Sequence, residues 1–212
     1  MLEADSLTCV RGDRPLFSDA SFTLSPGQAL YVTGSNGAGK TSLLRLLCGL
    51  ATPEVGEVRW NGESIRSLRE EFSRHVMFLG HAAALKDELT ACENLVTGTI
   101  LSGRTLDHQH AVDALWRMGL KGREDLPARV LSQGQRRRVN LARLILPDPP
   151  RLWILDEPFN ALDVKAVAQL RQILLDHVEA GGMLVFTTHQ DVDFPEAILK
   201  RVVIDRGRAA TC

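Results

Sequence analysis

The run Gly34-Ser35-Asn36-Gly37-Ala38-Gly39-Lys40-Thr41 restricts this chain more than any other feature. It fits G-x-x-x-x-G-K-[ST], a loop whose backbone N–H groups wrap phosphates while the lysine reaches the β- and γ-phosphates and the hydroxyl binds Mg²⁺. Such a loop needs a buried strand before it and a helix after it. Ala29-Leu30-Tyr31-Val32-Thr33 is an apolar run of buried-strand type that follows a Pro26-Gly27 turn. Lys40 to Cys48 reads as a helix with leucines at 43, 44, 46 and 47, and Gly49 is placed to stop it. Phosphate then meets a helix N-terminus. Residues 34 to 41 are therefore the expected nucleotide contacts, with Lys40 also catalytic and Thr41 also a metal ligand.

Around this loop the pattern alternates between strand and helix. Leu2 to Val10, Ser21 to Leu24, Val58 to Trp60 before Asn61-Gly62, and Val76 to Leu79 read as strands. From His81 to about Val130 the pattern is helical, with a Thr90-Ala91-Cys92-Glu93 capping box and Asp107 as an N-cap. Ser132-Gln133-Gly134-Gln135 opens a helix that runs to about Leu146, where Pro147-Asp148-Pro149-Pro150 stops it. Leu152 to Leu155 and Met183 to Thr187 are buried strands flanking a helix from Asp163 to Glu179, and Val202 to Ile204, a turn at Asp205-Arg206-Gly207 and a short tail end the chain. The expected fold is α/β: a P-loop NTPase core (1–80 and 131–212) with a mostly parallel sheet, an N-terminal antiparallel β subdomain, and an inserted α-helical subdomain (81–130).

Further chemistry lies downstream of the loop. Asp156 closes a buried parallel strand, the place where ligands gather in open α/β sheets, and should hold Mg²⁺ directly or through water. Glu157, next in the chain, points elsewhere and can address an attacking water as general base or water-positioning group. His189 follows the last core strand, in Thr187-Thr188-His189-Gln190, where it can meet the γ-phosphate and that water. Phosphoryl transfer needs positioning and charge neutralisation rather than a nucleophilic side chain, so Lys40, Mg²⁺, Glu157 and His189 form a sufficient set. The Ser132-x-Gly134-Gln135 turn is a second phosphate-binding helix start. One nucleotide cannot reach both loops of one chain, so two chains are expected to share it. His108 and His110 do not share a helix face and are read as surface residues.

Composition excludes several other classes. With 25 Lys and Arg against 26 Asp and Glu, the only basic cluster is Arg136-Arg137-Arg138 with Arg143 nearby. It reads as a solvated, partner-facing helix side, and nucleic acid is not expected as a partner. Met1-Leu2-Glu3-Ala4-Asp5 lacks the basic start of a secretory signal, and no apolar run approaches the roughly 18 residues of a spanning helix, so a cytosolic chain is expected. Cys9, Cys48, Cys92 and Cys212 form no C-x-x-C pair and read as reduced thiols, with no zinc or haem attachment site.

In combination the loop at 34–41, the signature at 131–135, the acidic strand end at 152–157, Asn160-Ala161-Leu162-Asp163 and His189 resemble the ATP-binding-cassette nucleotide-binding subunits over essentially the whole chain. More narrowly, Phe78-Leu79-Gly80-His81, the non-glycine third signature position and Trp153 to Asp163 are similar to the ATP-binding subunits of cytochrome c maturation transporters. The resemblance implies an ATPase with ATP and Mg²⁺, in which His81 and Asp163 join the nucleotide contacts. Its expected partners are a second copy of itself, head to tail, and the transmembrane subunits of the cytochrome c maturation complex at the cytoplasmic face of the inner membrane. The work driven is haem export or release of haem-loaded chaperone; a soluble assembly-scaffold ATPase, or a cassette for another exported substrate, stays as the alternative. Three departures from the general cassette pattern stand out. His81 replaces the usual glutamine, Gln133 replaces a glycine and either crowds or supplements the phosphate site, and Val10-Arg11-Gly12 lacks the aromatic that stacks on adenine. Base recognition is then either weak or uses stacking by Arg11, and relaxed nucleotide choice is the expectation.

Overall fold

The structure is a computed structural model describing residues 1–12, 14–190, 192–205 and the backbone of 208–211. Strands β1 (Leu2–Arg11), β2 (Arg14–Leu24), β4 (Val55–Trp60) and β5 (Glu63–Ser64) form an antiparallel sheet in the order β2-β1-β4-β5. Strands β3 (Gln28–Thr33), β6 (Val76–Leu79), β7 (Leu152–Leu155), β8 (Met183–Phe186) and β9 (Leu199–Asp205) run parallel in a second sheet. β10 (Arg208–Thr211) is antiparallel at its edge, in the order β10-β9-β3-β8-β7-β6. All residues of β7 and β8 are buried, as expected of central strands covered on both faces. Leu152, Ile154, Met183 and Val185 pack with the leucines of helix α1 (Lys40–Leu47), while Trp153, Leu155, Leu184 and Phe186 face the opposite core. The expected α/β class with its mostly parallel sheet and N-terminal antiparallel sheet is thus the one observed.

Element boundaries differ from the sequence reading in several places. β2 starts at Arg14 instead of Ser21, because polar residues and the left-handed Asp19 (φ 57) interrupt its alternation. Between β5 and β6 the chain forms two short helices, α2 (Ile65–Leu68) and α3 (Glu70–His75), that no long periodic pattern announces. The region expected to be helical holds α4 (Ala91–Leu101), α5 (His108–Arg117) and a 3₁₀ turn at Ala128–Val130, but residues 81–90 are not helical. There the buried Asn94 amide satisfies the loop instead, accepting from Lys86 N (2.7 Å) and donating to Lys86 O (3.0 Å) and Leu89 O (3.1 Å). The helix after Ser132, α6 (Gln133–Leu141), tightens into a 3₁₀ turn at Ala142–Ile145 before Leu146, extended (ψ 155) as a residue preceding proline must be. Helix α7 (Val164–Glu179) leads into β8. The terminal tail is a strand, β10, paired with β9; Arg206 and Gly207 of the expected turn, and Cys212, lie outside the described residues.

Candidate functional site

Strand β3 delivers the chain to the glycine loop against the backbone of β9. Gly34 has φ +139, and a Cβ there would stand 2.0 Å from the Ile204 carbonyl oxygen, so only glycine fits. Gly39 (φ +112) closes the loop beneath β2, where a Cβ would come within 3.0 Å of Phe17 Cδ1. α1 then begins with no side-chain cap and no acid in its first turn, whereas α4, α5, α6 and α7 are capped by Thr90, Asp107, Ser132 and Asp163. Its free N–H groups and the positive end of its dipole are left for an anion. Lys40 Nζ donates to Gly34 O (2.8 Å) and Ser35 O (3.3 Å), which folds its ammonium over the mouth of the loop.

The acidic pair stands opposite. Asp156, 3 % exposed at the end of β7, accepts from Thr41 Oγ1 through Oδ2 (2.8 Å) and from Thr187 Oγ1 through Oδ1 (2.8 Å). A hydroxyl and a carboxylate in contact are the hard oxygen donors that Mg²⁺ takes, and the loop beside them is shaped for phosphate, so the residues fit a Mg·nucleotide. Thr187 Oγ1 also accepts the Glu157 N–H (2.9 Å), tying both acids to the end of β8. Glu157 occupies the left-handed region (φ 50), a strained setting for a glutamate. Its Oε2 accepts the His189 N–H (3.2 Å); its Oε1 is buried without a hydrogen bond and faces His189 Nε2 at 3.4 Å, a charge contact too poorly aligned to count as a hydrogen bond. The His189 ring itself is more than half exposed.

These groups line one cleft of about 350 Å³: Lys40, Thr41, Asp156, Glu157 and His189, joined by Asn36, Gly37, Gly39, His81 and Asn160, with Arg11 and Leu16 on the side of the antiparallel sheet. Larger hollows exist against β1 and β2 (about 580 Å³) and beside the end of α1 (about 550 Å³), but neither holds these groups, so chemistry rather than volume marks the site. Ser132, Gly134, Gln135 and Asp163 do not line the cleft. Ser132 and Gln135 close a capping box on each other, and a Cβ on Gly134 would lie 2.9 Å from Ala161 O. Asp163 caps α7 through Ala166 N (2.9 Å) and pairs with Arg138. They form a second group at the starts of α6 and α7, joined by the approach of Gly134 to Ala161 and by the Arg138–Asp163 pair.

The three arginines of α6 are not a solvated face, which corrects the sequence reading. Arg136 Nη1 reaches Asp87 (2.6 Å) and Ala128 O (2.8 Å), Arg138 pairs with Asp163, and Arg137 is only 5 % exposed, bonded to the backbone carbonyls that follow the paired ends of β6 and β7. Arg137 lies one helical repeat before the buried Leu141, which is the signal that could have placed it inward. Thr187 was likewise missed; a hydroxyl at the C-terminal end of a parallel strand was the clue. His108 and His110 are exposed, His110 bonding Asp107, as expected of surface residues. Cys9, Cys48 and Cys92 are free.

The ABC transporter family profile matches residues 17–160. The cytochrome c biogenesis ATP-binding export protein CcmA of Aromatoleum aromaticum is 56% identical over 92% of this chain and 91% of that protein. The proteins of the same name from Nitrosospira multiformis and Escherichia coli K12 are 53% identical (95% and 97% covered) and 46% identical (99% of each). Among solved structures, a dimeric bacterial ABC transporter cassette superposes with a TM-score of 0.84, at 23% identity over 100% of this chain and 98% of that one. A dimeric post-hydrolysis cassette bound to ADP and phosphate gives 0.83 at 22% identity, with the same coverage; both show the fold. With its profile match and near full-length relatives, the chain belongs to the ABC transporter family and, within it, to the cytochrome c biogenesis ATP-binding export proteins.

Proposed function

We propose that this chain is the ATP-hydrolysing subunit of a membrane complex for c-type cytochrome biogenesis. It works as a head-to-tail pair with a second copy of itself at the cytoplasmic face of the inner membrane. The observation that carries the reading is the division of the motifs. Asn36, Gly37, Gly39 and Lys40 of the loop share one cleft with Thr41, Asp156, Glu157 and His189, while Ser132, Gly134, Gln135 and Asp163 stand outside it, ready to close the cleft of a partner copy. The names of the relatives, and the dimeric state of the solved cassettes, support the same arrangement. Among the described residues no helix is long and apolar enough to cross a membrane, so contact with one falls to partner subunits in this reading. The division into a nucleotide-binding core of 1–80 and 131–212 and an inserted helical subdomain of 81–130 is part of the proposal.

In the mechanism the open start of α1 and Lys40 hold the β- and γ-phosphates. Thr41 and Asp156 would hold Mg²⁺, which would supply charge neutralisation for the phosphate oxygens when bound. Glu157, its Oε1 buried and unbonded, orients a water and receives its proton, while His189 fixes the carboxylate from one side. Glu157→Gln keeps size and hydrogen bonding but removes the base. Mg·ATP should still bind, turnover should fall by about 100-fold or more, and a dimer should accumulate on light scattering with ATP. Unchanged turnover in this variant would defeat the assignment.

A further inference from the structure

Arg137 is a cation buried away from water with no carboxylate among its hydrogen-bond partners. Its Nε and two Nη atoms donate to five backbone carbonyls: Pro158 O (3.4 Å), Gly80 O (3.0 Å), His81 O (3.4 Å), Asp156 O (3.1 Å) and Glu157 O (2.7 Å). Burial pulls its pKa below the usual guanidinium value, against the opposing pull of the Asp156 and Glu157 charges. A buried ion is a poor way to add stability, since an apolar side chain of similar volume often does as well. What a planar fork does that an apolar chain cannot is fix several carbonyls from two segments in one geometry.

The segments it joins are the end of β6 with the His81 loop, and the turn that carries both acids. The Glu157 residue is gripped at both ends: its N–H by Thr187 Oγ1 and its C=O by Arg137 Nη2. Those two bonds hold a glutamate at φ 50, where it would not stay unaided. Arg137 rides on α6, whose first residues carry the signature, and the same helix abuts the acidic loop again at Gly134 and through the Arg138–Asp163 pair.

We propose that Arg137 is a positioning residue for ATP hydrolysis, fastening the signature helix to the Glu157 turn and the His81 loop so that the three move as one body. This rests on the proposed two-copy ATPase. There the start of α6 meets the partner's nucleotide while Glu157 serves this chain's own, so Arg137 makes occupancy of one site felt by the carboxylate of the other. The Lys40 loop is not among its contacts.

The test compares steady-state hydrolysis and Mg·ATP binding for the full-length wild type, Arg137→Lys, Arg137→Met and Arg137→Ala. Misplacing Glu157 by about 1 Å should lower kcat about 100-fold in Arg137→Met, and a smaller displacement about tenfold in Arg137→Lys. An ammonium cannot bridge both carbonyl sets. KM and ATP affinity should stay within about threefold, the Hill coefficient for ATP should fall toward one, and added methylguanidinium should restore part of the Arg137→Ala rate. Arg137→Lys keeps the charge and the stem, so it carries the test if the larger changes prevent folding. A kcat within twofold of wild type in folded Arg137→Lys overturns the inference alone. So does a loss of kcat matched by an equal loss of ATP binding. A wild-type chain that binds ATP without turnover overturns the functional reading and this inference with it.

Discussion

At the scale of single residues, a half-buried histidine packed beside the core carries a stability consequence in mild acid. His177 of α7 stacks on Trp153 of β7, ring centroids 3.6 Å apart and planes within 4°, and its Nε2 lies 3.3 Å from Met183 O. Burial lowers its pKa from 6.5 to about 4. The folded chain therefore keeps the ring neutral, while the unfolded chain takes up a proton below 6.5. The stability this neutral ring contributes is fully present above that pH and is lost progressively as pH falls from about 6.5 to about 4. The shift corresponds to at most about 3 kcal/mol, and partial solvent access brings it nearer 2. Unfolding free energies from urea titration should be lower at pH 5 than at pH 7 by about 1.5 kcal/mol in wild type, most of the linkage having developed by pH 5, and His177→Phe, which keeps the stack without the proton, should flatten the difference; an equal pH dependence in the two proteins would refute the assignment. Gly182 belongs to the same packing, since a Cβ on it would fall 2.3 Å from the His177 ring. Gly182→Ala should open the stack and lower the unfolding free energy at both pH values by about 1–3 kcal/mol.

At the scale of elements, one local motif serves two purposes. Thr90 and Ser132 each close a complete capping box, on α4 and α6. Both are legible in the sequence, because S/T-x-x-E/Q ahead of a helical run states the geometry directly. The glycine loop and the buried runs β3, β7 and β8 are legible for the same reason: each is fixed by contacts near in sequence or by continuous apolarity. What the sequence concealed depends on distant partners. α2 and α3 are too short for periodicity to mark, β10 exists because β9 is there to pair with it, and the inward turn of Arg137 needs the carbonyls of residues 80–81 and 156–158. Replacing each cap by alanine separates the two uses. Thr90→Ala and Ser132→Ala should each cost about 1 kcal/mol of stability by denaturant titration. Only Ser132→Ala should also reduce ATPase turnover, since in the proposed two-copy arrangement its helix start is the one offered to the partner's phosphate. Equal turnover in the two variants would confine Ser132 to capping.

At the scale of the whole molecule, the features converge on His81, which follows β6 at the junction of the parallel sheet and the segment leading to α4. It lines the nucleotide cleft, while its backbone carbonyl is held by Arg137. A displacement of the α4–α5 region thus has a short route to the acids: through the His81 loop to Arg137, and from Arg137 to the Glu157 turn. The same residue has no contact with the glycine loop's grip on Lys40, which uses Gly34 O and Ser35 O. Binding and coupling are therefore separable. In the assembled complex, His81→Ala should leave Mg·ATP affinity within about threefold of wild type while abolishing the stimulation of hydrolysis by the membrane partner. His81→Gln, which keeps a hydrogen-bonding group of similar reach, should retain part of that stimulation. The measurement is ATPase rate with and without membranes carrying the partner subunits, with nucleotide binding followed in parallel. Full stimulation in His81→Ala would reduce the residue to an exposed loop histidine and leave the Arg137 contacts as a backbone clamp alone; loss of ATP binding in the same variant would place His81 in the phosphate site rather than in the coupling path.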